Sequence, residues 1–218
     1  EIKECDWSSD VCSSDLNDYY SRRISKMGVI VAADSGAEKL RELERPPEIL
    51  VGDMDSISPA TLDWCKKSGA QILIFPPEKD DTDTTLAIKT LYERGALDVD
   101  IFGASGRRED HFLATLFSIY GADTGMKLLI TEENFQAGLM KDGDSCTIME
   151  AIEGETWSFL PFGGGLPVVT LEGFKYPLKG QTLDYTRPLG VSNVATGPLV
   201  KVLCRGGALI YFRWLKEF

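Results

Sequence analysis

Histidine is nearly absent from this 218-residue chain. Its single copy, His111, excludes any mechanism that needs two imidazoles and counts against a Ser-His-Asp triad. Beside Asp110 at an expected helix start, His111 is either a general base or, more commonly in such a place, a structural residue. Cysteine is also sparse: Cys5, Cys12, Cys65, Cys146 and Cys204 are odd in number and scattered, with no Cys-x-x-Cys pair. That pattern argues against a disulfide framework or a zinc site and for reduced thiols, hence a cytoplasmic location. Positive charge is short, with 23 Lys and Arg against 34 Asp and Glu and a net charge of −11. No basic face for nucleic acid is expected from such a balance. A cationic substrate suits it better, and a polyanion such as ATP would need a metal ion and local Lys or Arg. Long apolar runs are missing too. None approaches the roughly 18 residues of a membrane span, and there is no signal-peptide core, so no membrane partner is expected.

Four acidic segments, by contrast, each follow a short apolar run. Val29-Ile30-Val31-Ala32-Ala33 leads into Asp34-Ser35-Gly36, and Glu48-Ile49-Leu50-Val51 into Gly52-Asp53-Met54-Asp55-Ser56. Ile72-Leu73-Ile74-Phe75 leads into Pro76-Pro77-Glu78-Lys79-Asp80-Asp81-Thr82-Asp83. Val99-Asp100-Ile101-Phe102 leads into a glycine loop that ends at Arg108-Glu109-Asp110-His111. Short β-branched runs followed by helical patterns predict buried parallel strands. Ligands of open α/β sheets bind outside the carboxyl ends of the strands, so four carboxylate groups are expected at one edge. Without a cation among them they would repel one another. The pattern predicts a divalent-metal site with a phosphate ligand.

The fold class expected is an N-terminal, mostly parallel-sheet α/β domain over residues 17–125, followed by an all-β sandwich over 126–218. Residues 1–16 carry five acids and one lysine and show no helical or strand period, so a foreign or disordered segment is expected there. They hold −4 of the net −11, leaving −7 for the rest. The helical pattern is expected to start at Asn17, with Tyr19, Tyr20, Ile24 and Met27 on one face. After His111, the spacing of Leu113, Leu116, Phe117 and Tyr120 predicts a helix burying that face. In the β half, apolar runs alternate with turn clusters such as Asp142-Gly143-Asp144. Arg205-Gly206-Gly207 between two such runs predicts a hairpin.

Two carboxylates two residues apart, Asp53 and Asp55, can share a Mg²⁺, a hard cation that takes oxygen ligands and is completed by substrate phosphates. An Asp-rich turn can equally end a strand and cap the next helix; the other acidic strand ends favour the metal. Lys79, Asp80, Thr82 and Asp83 sit where a helix should begin, and a helix N-terminus is itself an anion site. The loop from Gly103 to Arg108 offers backbone N–H groups and a guanidinium, but it matches neither the dinucleotide nor the Walker pattern. Ser192-Asn193, taken alone, is an ordinary turn that could hydrogen-bond a ligand.

Taken together, these stretches resemble the bacterial thiamine pyrophosphokinase (thiamine diphosphokinase) family. The resemblance runs from about Asn17 to Phe212 and includes Leu171 to Leu178 and Leu189 to Asn193 in the β half. It implies a homodimer and Mg²⁺-dependent transfer of pyrophosphate from ATP to the hydroxyl of thiamine, releasing AMP. The catalytic carboxylates implied are Asp53, Asp55, Asp83 and Asp110, with Asp53, Asp55 and Asp83 as metal ligands. Asp34, Ser56, Lys79, Asp80, Arg108 and His111 are implied on the ATP side, and Ser192, Asn193 and Tyr176 on the thiamine side. Either Asp83 or Asp110 would take the hydroxyl proton. The two halves of a site are implied to come from different subunits. Three departures stand out: Ser35 replaces a second glycine, Arg107 stands where a glycine is usual, and residues 1–16 replace a Gly-rich opening strand. Alternatives are a metal-dependent nucleotide phosphohydrolase, with water in place of thiamine, and a nucleotide-binding module without chemistry.

Overall fold

The computed structural model describes residues 13–105, 108–122, 125–141 and 147–215. Residues 1–12, Gly106 and Arg107 of the glycine loop, and the Asp142-Gly143-Asp144 turn lie outside the described residues. The chain forms two compact units. One comprises the described residues up to Val99 together with Gly103–Lys127, and the other Asp100–Phe102 together with the chain from Leu128.

In the first unit, α1 (Ser13–Ile24), β1 (Val31–Ala33), α2 (Gly36–Glu42), β2 (Ile49–Gly52), α3 (Pro59–Lys67), β3 (Gln71–Ile74) and α4 (Asp83–Glu93) alternate. The strands β1, β2 and β3 pair in that order, all parallel. Helix α1 starts at Ser13 rather than at Asn17, so part of the segment expected to be unstructured is helical. Of the four residues expected on one face, Tyr20 and Ile24 are buried, Tyr19 is half-buried, and Met27, half-buried, lies beyond the helix. Strand β2 is buried along its whole length, and Ile49 and Val51 pack with Leu86 of α4. That continuous apolar run is what a parallel strand covered on both faces requires.

The fourth strand does not join this sheet. Strand β4 (Asp98–Ile101) belongs to a six-stranded sheet with the strands of the second unit. Its sequence explains the difference: Asp98 and Asp100 interrupt the apolar run, and Asp100 accepts a hydrogen bond from the Thr131 hydroxyl at 3.0 Å. A strand with that alternation does not fit the fully buried middle of a parallel sheet. Helix α5 (Glu109–Gly121) follows, and its face also differs from expectation. Thr115, Leu116 and Ile119 are buried, whereas Leu113 and Phe117 are 45% and 54% exposed. Apolar residues ring this helix, so spacing alone chose a neighbouring stripe.

The second unit is built from β5 (Lys127–Thr131), β6 (Phe135–Lys141), β7 (Thr147–Glu150), β8 (Thr156–Phe162), β9 (Val168–Glu172), β10 (Leu178–Thr182), β11 (Asn193–Val194), β12 (Leu199–Arg205) and β13 (Ala208–Trp214). One sheet runs β10-β9-β12-β7, the other β11-β8-β13-β6-β5-β4. The expected hairpin over Arg205-Gly206-Gly207 is instead a passage from one sheet to the other. β12 pairs with β7 and β9, while β13 pairs with β6 and β8. Alternation in β12 buries Val200, Val202 and Cys204, which join Trp157, Phe159, Leu171 and Leu209 in one core. Two antiparallel sheets with their alternating apolar faces in a shared core make a sandwich. No helix among the described residues is long and apolar enough to cross a membrane.

Candidate active site

The end of β2 bends sharply, and the bend places carboxylates. Gly52 has φ 150°, where an L side chain is strained, and a Cβ there would lie 3.0 Å from the Asp34 Cβ. Only glycine allows Asp34, at the end of the neighbouring β1, to settle against this turn. Asp34 itself has φ 42°, and its N–H donates to the Val51 carbonyl at 2.8 Å. Asp34 is 6% exposed, and its Oδ1 has no hydrogen-bond partner. Buried carboxylate oxygens without a partner are rare and call for an explanation.

Asp53 follows Gly52, and Asp83 opens α4, whose N-cap Thr82 accepts a hydrogen bond from the Thr85 N–H at 3.2 Å. Carboxylate oxygens of Asp34, Asp53 and Asp83 all lie within 4.8 Å of one another. Three hard oxygen donors at that spacing suit a hard divalent cation. Lys79 reaches into the same group, with Nζ 3.2 Å from Asp53 Oδ2 and 3.1 Å from Asp83 Oδ1. The side chains of Lys79 and Asp53 are 14% and 13% exposed.

Charge is distributed unevenly over the cluster. Burial, and then the nearby Asp83, Asp53 and Asp55 carboxylates, push the Asp34 carboxyl above its usual range against a pull from the Ser56 hydroxyl. Asp53 is held below the usual carboxylate range, first by the Asp55 N–H and then by the Lys79 ammonium. Burial alone would lower the Lys79 pKa, but contacts and charge from Asp83 and Asp53 outweigh it and raise the pKa.

Among the other residues singled out in sequence, Asp55, Ser56 and Asp80 are exposed. Asp55 accepts from the Ser56 hydroxyl at 2.8 Å, and its N–H donates to Asp53 Oδ1 at 3.3 Å. The carboxylate group therefore contains Asp34 in the place where the spacing argument put Asp55. No sequence motif links Asp34 to Asp53; the parallel pairing of β1 with β2 does. Asp110 stands apart from the group, at the surface, and pairs with Arg108. The Arg108 hydrogen bond holds the Asp110 carboxyl below its usual range. His111 is exposed in the first turn of α5, and its N–H donates to the Arg108 carbonyl at 3.1 Å.

Ser192, Asn193 and Tyr176 are gathered in the second unit. Asn193 is 3% exposed and fully engaged with backbone. Its Oδ1 accepts from the N–H groups of Tyr176 and Val194 at 3.0 Å each, and its Nδ2 donates to the Tyr176 carbonyl at 2.8 Å. Ser192 is exposed with φ 56°, and its N–H donates to the Ser158 hydroxyl at 3.1 Å. Tyr176 is 57% exposed. Asn193 thus holds the backbone of the exposed Tyr176 in place, with both its amide oxygen and its amide nitrogen engaged.

A parallel α/β unit with a carboxylate cluster at its strand ends, followed by a β-sandwich, has the donors that a metal-assisted transferase requires. The family described as thiamin pyrophosphokinase, catalytic domain, matches residues 20–130, and its vitamin B1 binding domain matches residues 145–209. The chain is 30% identical over 181 residues to the thiamine pyrophosphokinase of Bacillus subtilis (strain 168), covering 82% of each chain. The crystal structure of a Bacillus subtilis thiamine pyrophosphokinase superposes with a TM-score of 0.76 at 27% identity, over 86% of this chain and 87% of that one. One from Candida albicans gives a TM-score of 0.78 at 18% identity, over 88% and 83%, a likeness of fold. This chain belongs to the thiamine pyrophosphokinase family. Its reaction is ATP-dependent transfer of pyrophosphate to thiamine, and neither the hydrolase nor the binding-module alternative gains support from these matches.

Proposed function

We propose that the Asp34, Asp53 and Asp83 edge holds Mg²⁺ with the phosphates of ATP, and that the Ser192 turn meets thiamine in a cytoplasmic homodimer. The buried, unpartnered Asp34 oxygen beside two further carboxylates carries this assignment. Magnesium bound there would offset the negative charge on phosphate oxygens. Lys79 supplies the local cation that so acidic a chain otherwise lacks, and the first turn of α4 presents backbone N–H groups beside it. Each of the two carboxylates considered as proton acceptor has a cation beside it, Lys79 at Asp83 and Arg108 at Asp110. Asn193 positions Tyr176, and Ser192, held through its N–H on Ser158, offers the hydroxyl that would hydrogen-bond the substrate.

The test follows AMP release from ATP and Mg²⁺, with and without thiamine. AMP is expected only when thiamine is present. Asp53→Asn should lower the rate by about 10²–10³-fold, the scale of losing one charge-stabilising group, with the far-ultraviolet circular dichroism unchanged. AMP formed without thiamine would instead indicate a phosphohydrolase, and nucleotide binding without AMP a sensor.

A further inference from the structure

Lys79 does something that phosphate binding alone does not explain. Its ammonium lies on two of the three grouped carboxylates, between Asp53 Oδ2 and Asp83 Oδ1, and is largely buried there. The other Asp53 oxygen is taken as well, by the Asp55 N–H. A cation entering this group can use Asp34 Oδ1 freely, but it can reach Asp53 and Asp83 only beside or in place of the ammonium. Beside it, a divalent and a monovalent cation would sit at contact distance on shared oxygens, an arrangement that charge repulsion opposes. We propose that Lys79 is a tethered counter-ion that blocks the metal position, and that a divalent cation occupies Asp34, Asp53 and Asp83 only when the ammonium swings off them onto an anionic oxygen of a polyphosphate. This rests on the assignment of the carboxylate edge as the metal and nucleotide site.

The consequence is coupling. Metal alone must displace Lys79 into water, whereas metal with nucleotide gives the displaced ammonium a new partner. Each ligand therefore tightens the other, as linkage between two sites requires. The device also keeps Asp53 and Asp83 from repelling each other when no ligand is bound, so the open cluster is tolerated.

The experiment measures Mn²⁺ binding by electron paramagnetic resonance on purified full-length protein, with and without a non-hydrolysable ATP analogue, for wild type and Lys79→Met. In wild type the analogue should tighten Mn²⁺ binding. In Lys79→Met, nucleotide-free Mn²⁺ affinity should rise by about tenfold, within the usual range for coupled sites, and the tightening by the analogue should shrink. The melting temperature of the ligand-free variant should fall and be restored by Mn²⁺, which a purely phosphate-binding lysine would not cause. Equal or weaker nucleotide-free Mn²⁺ affinity in Lys79→Met, with wild type still binding Mn²⁺ alongside the analogue, overturns the counter-ion proposal and leaves the site assignment standing. Absence of Mn²⁺ binding in wild type with the analogue overturns both.

Discussion

Asp34 and Asn193 are both buried polar residues next to a backbone with positive φ, yet they are finished in opposite ways. Asn193, in the sandwich, has three hydrogen bonds to backbone groups, which engage both its amide oxygen and its amide nitrogen. Asp34, at the end of β1, keeps an oxygen without a partner and is crowded by Asp53 and Asp83. A satisfied buried amide fixes geometry, while an unsatisfied buried carboxylate marks a place where the protein is incomplete on its own. The two units thus divide the work: one stores charge for a ligand, and the other holds a rigid turn that displays a hydroxyl.

The sharpest way to break this comparison is Asp34→Asn. Asparagine tolerates φ 42° and keeps the shape, so the fold should survive. Loss of the buried charge should lower turnover by about 10²-fold, on the scale of removing one electrostatic contributor. Stability should move the other way. Because the folded-state pKa of Asp34 is raised, the unfolded chain gives up its proton first, and ionisation at neutral pH favours unfolding. Relative to Asp34→Asn, wild type should therefore be less stable at neutral pH and melt at a lower temperature. That gap should close as pH falls through the raised pKa toward the ordinary aspartate value and below. Thermal melts of both proteins across that window check the sign; a gap that widens in acid would show that Asp34 is stabilised as the carboxylate.

Much of this architecture is legible in the order of residues, and what is not escapes for nonlocal reasons. The apolar runs that form β1, β2 and β3, and the Asp-rich turns after them, announce a parallel sheet with an acidic edge. That β4 does not join this sheet is hinted at by Asp98 and Asp100 in its run, but which sheet it joins depends on the partner, and Asp100 finds Thr131 far along the chain. Nor do local residues separate a hairpin from a crossover at Arg205-Gly206-Gly207. The same turn residues serve both, and only the pairing of β12 with β9 and of β13 with β8 decides. Likewise Asp53-x-Asp55 is a convincing metal pattern by spacing, but Asp34 joins the group through the neighbouring strand. Asn193 is legible as a polar turn residue and not as a clamp, since its partners sit on Tyr176.

Removing that clamp should have the next largest effect. Asn193→Ala leaves the Tyr176 N–H and carbonyl without their side-chain partner in a part-buried site. A loss of about 1–3 kcal/mol is expected, the usual range for stranding buried polar groups. Chemical denaturation measures it, and a change below the error of the midpoint would mean that water replaces the amide. The thiamine KM should rise in the same variant while the ATP KM stays near wild type, because the Asn193 hydrogen bonds support the sandwich turn.

The smallest effect belongs to Ser192, and it separates display from support. What ties this residue into the fold is its N–H, which donates to Ser158 and survives any substitution except proline. Ser192→Ala should therefore change stability little, beyond a small penalty for alanine at φ 56°, which Ser192→Gly would remove. If the exposed hydroxyl hydrogen-bonds thiamine, both variants should raise the thiamine KM by a few fold, matching a net hydrogen-bond contribution of about 0.5–1.5 kcal/mol. The glycine variant is the control for backbone strain: equal KM increases in the two variants assign the effect to the missing hydroxyl. An increase in alanine alone would trace it to a shifted turn, and Ser192 would then be support, as Asn193 is, rather than a contact with substrate.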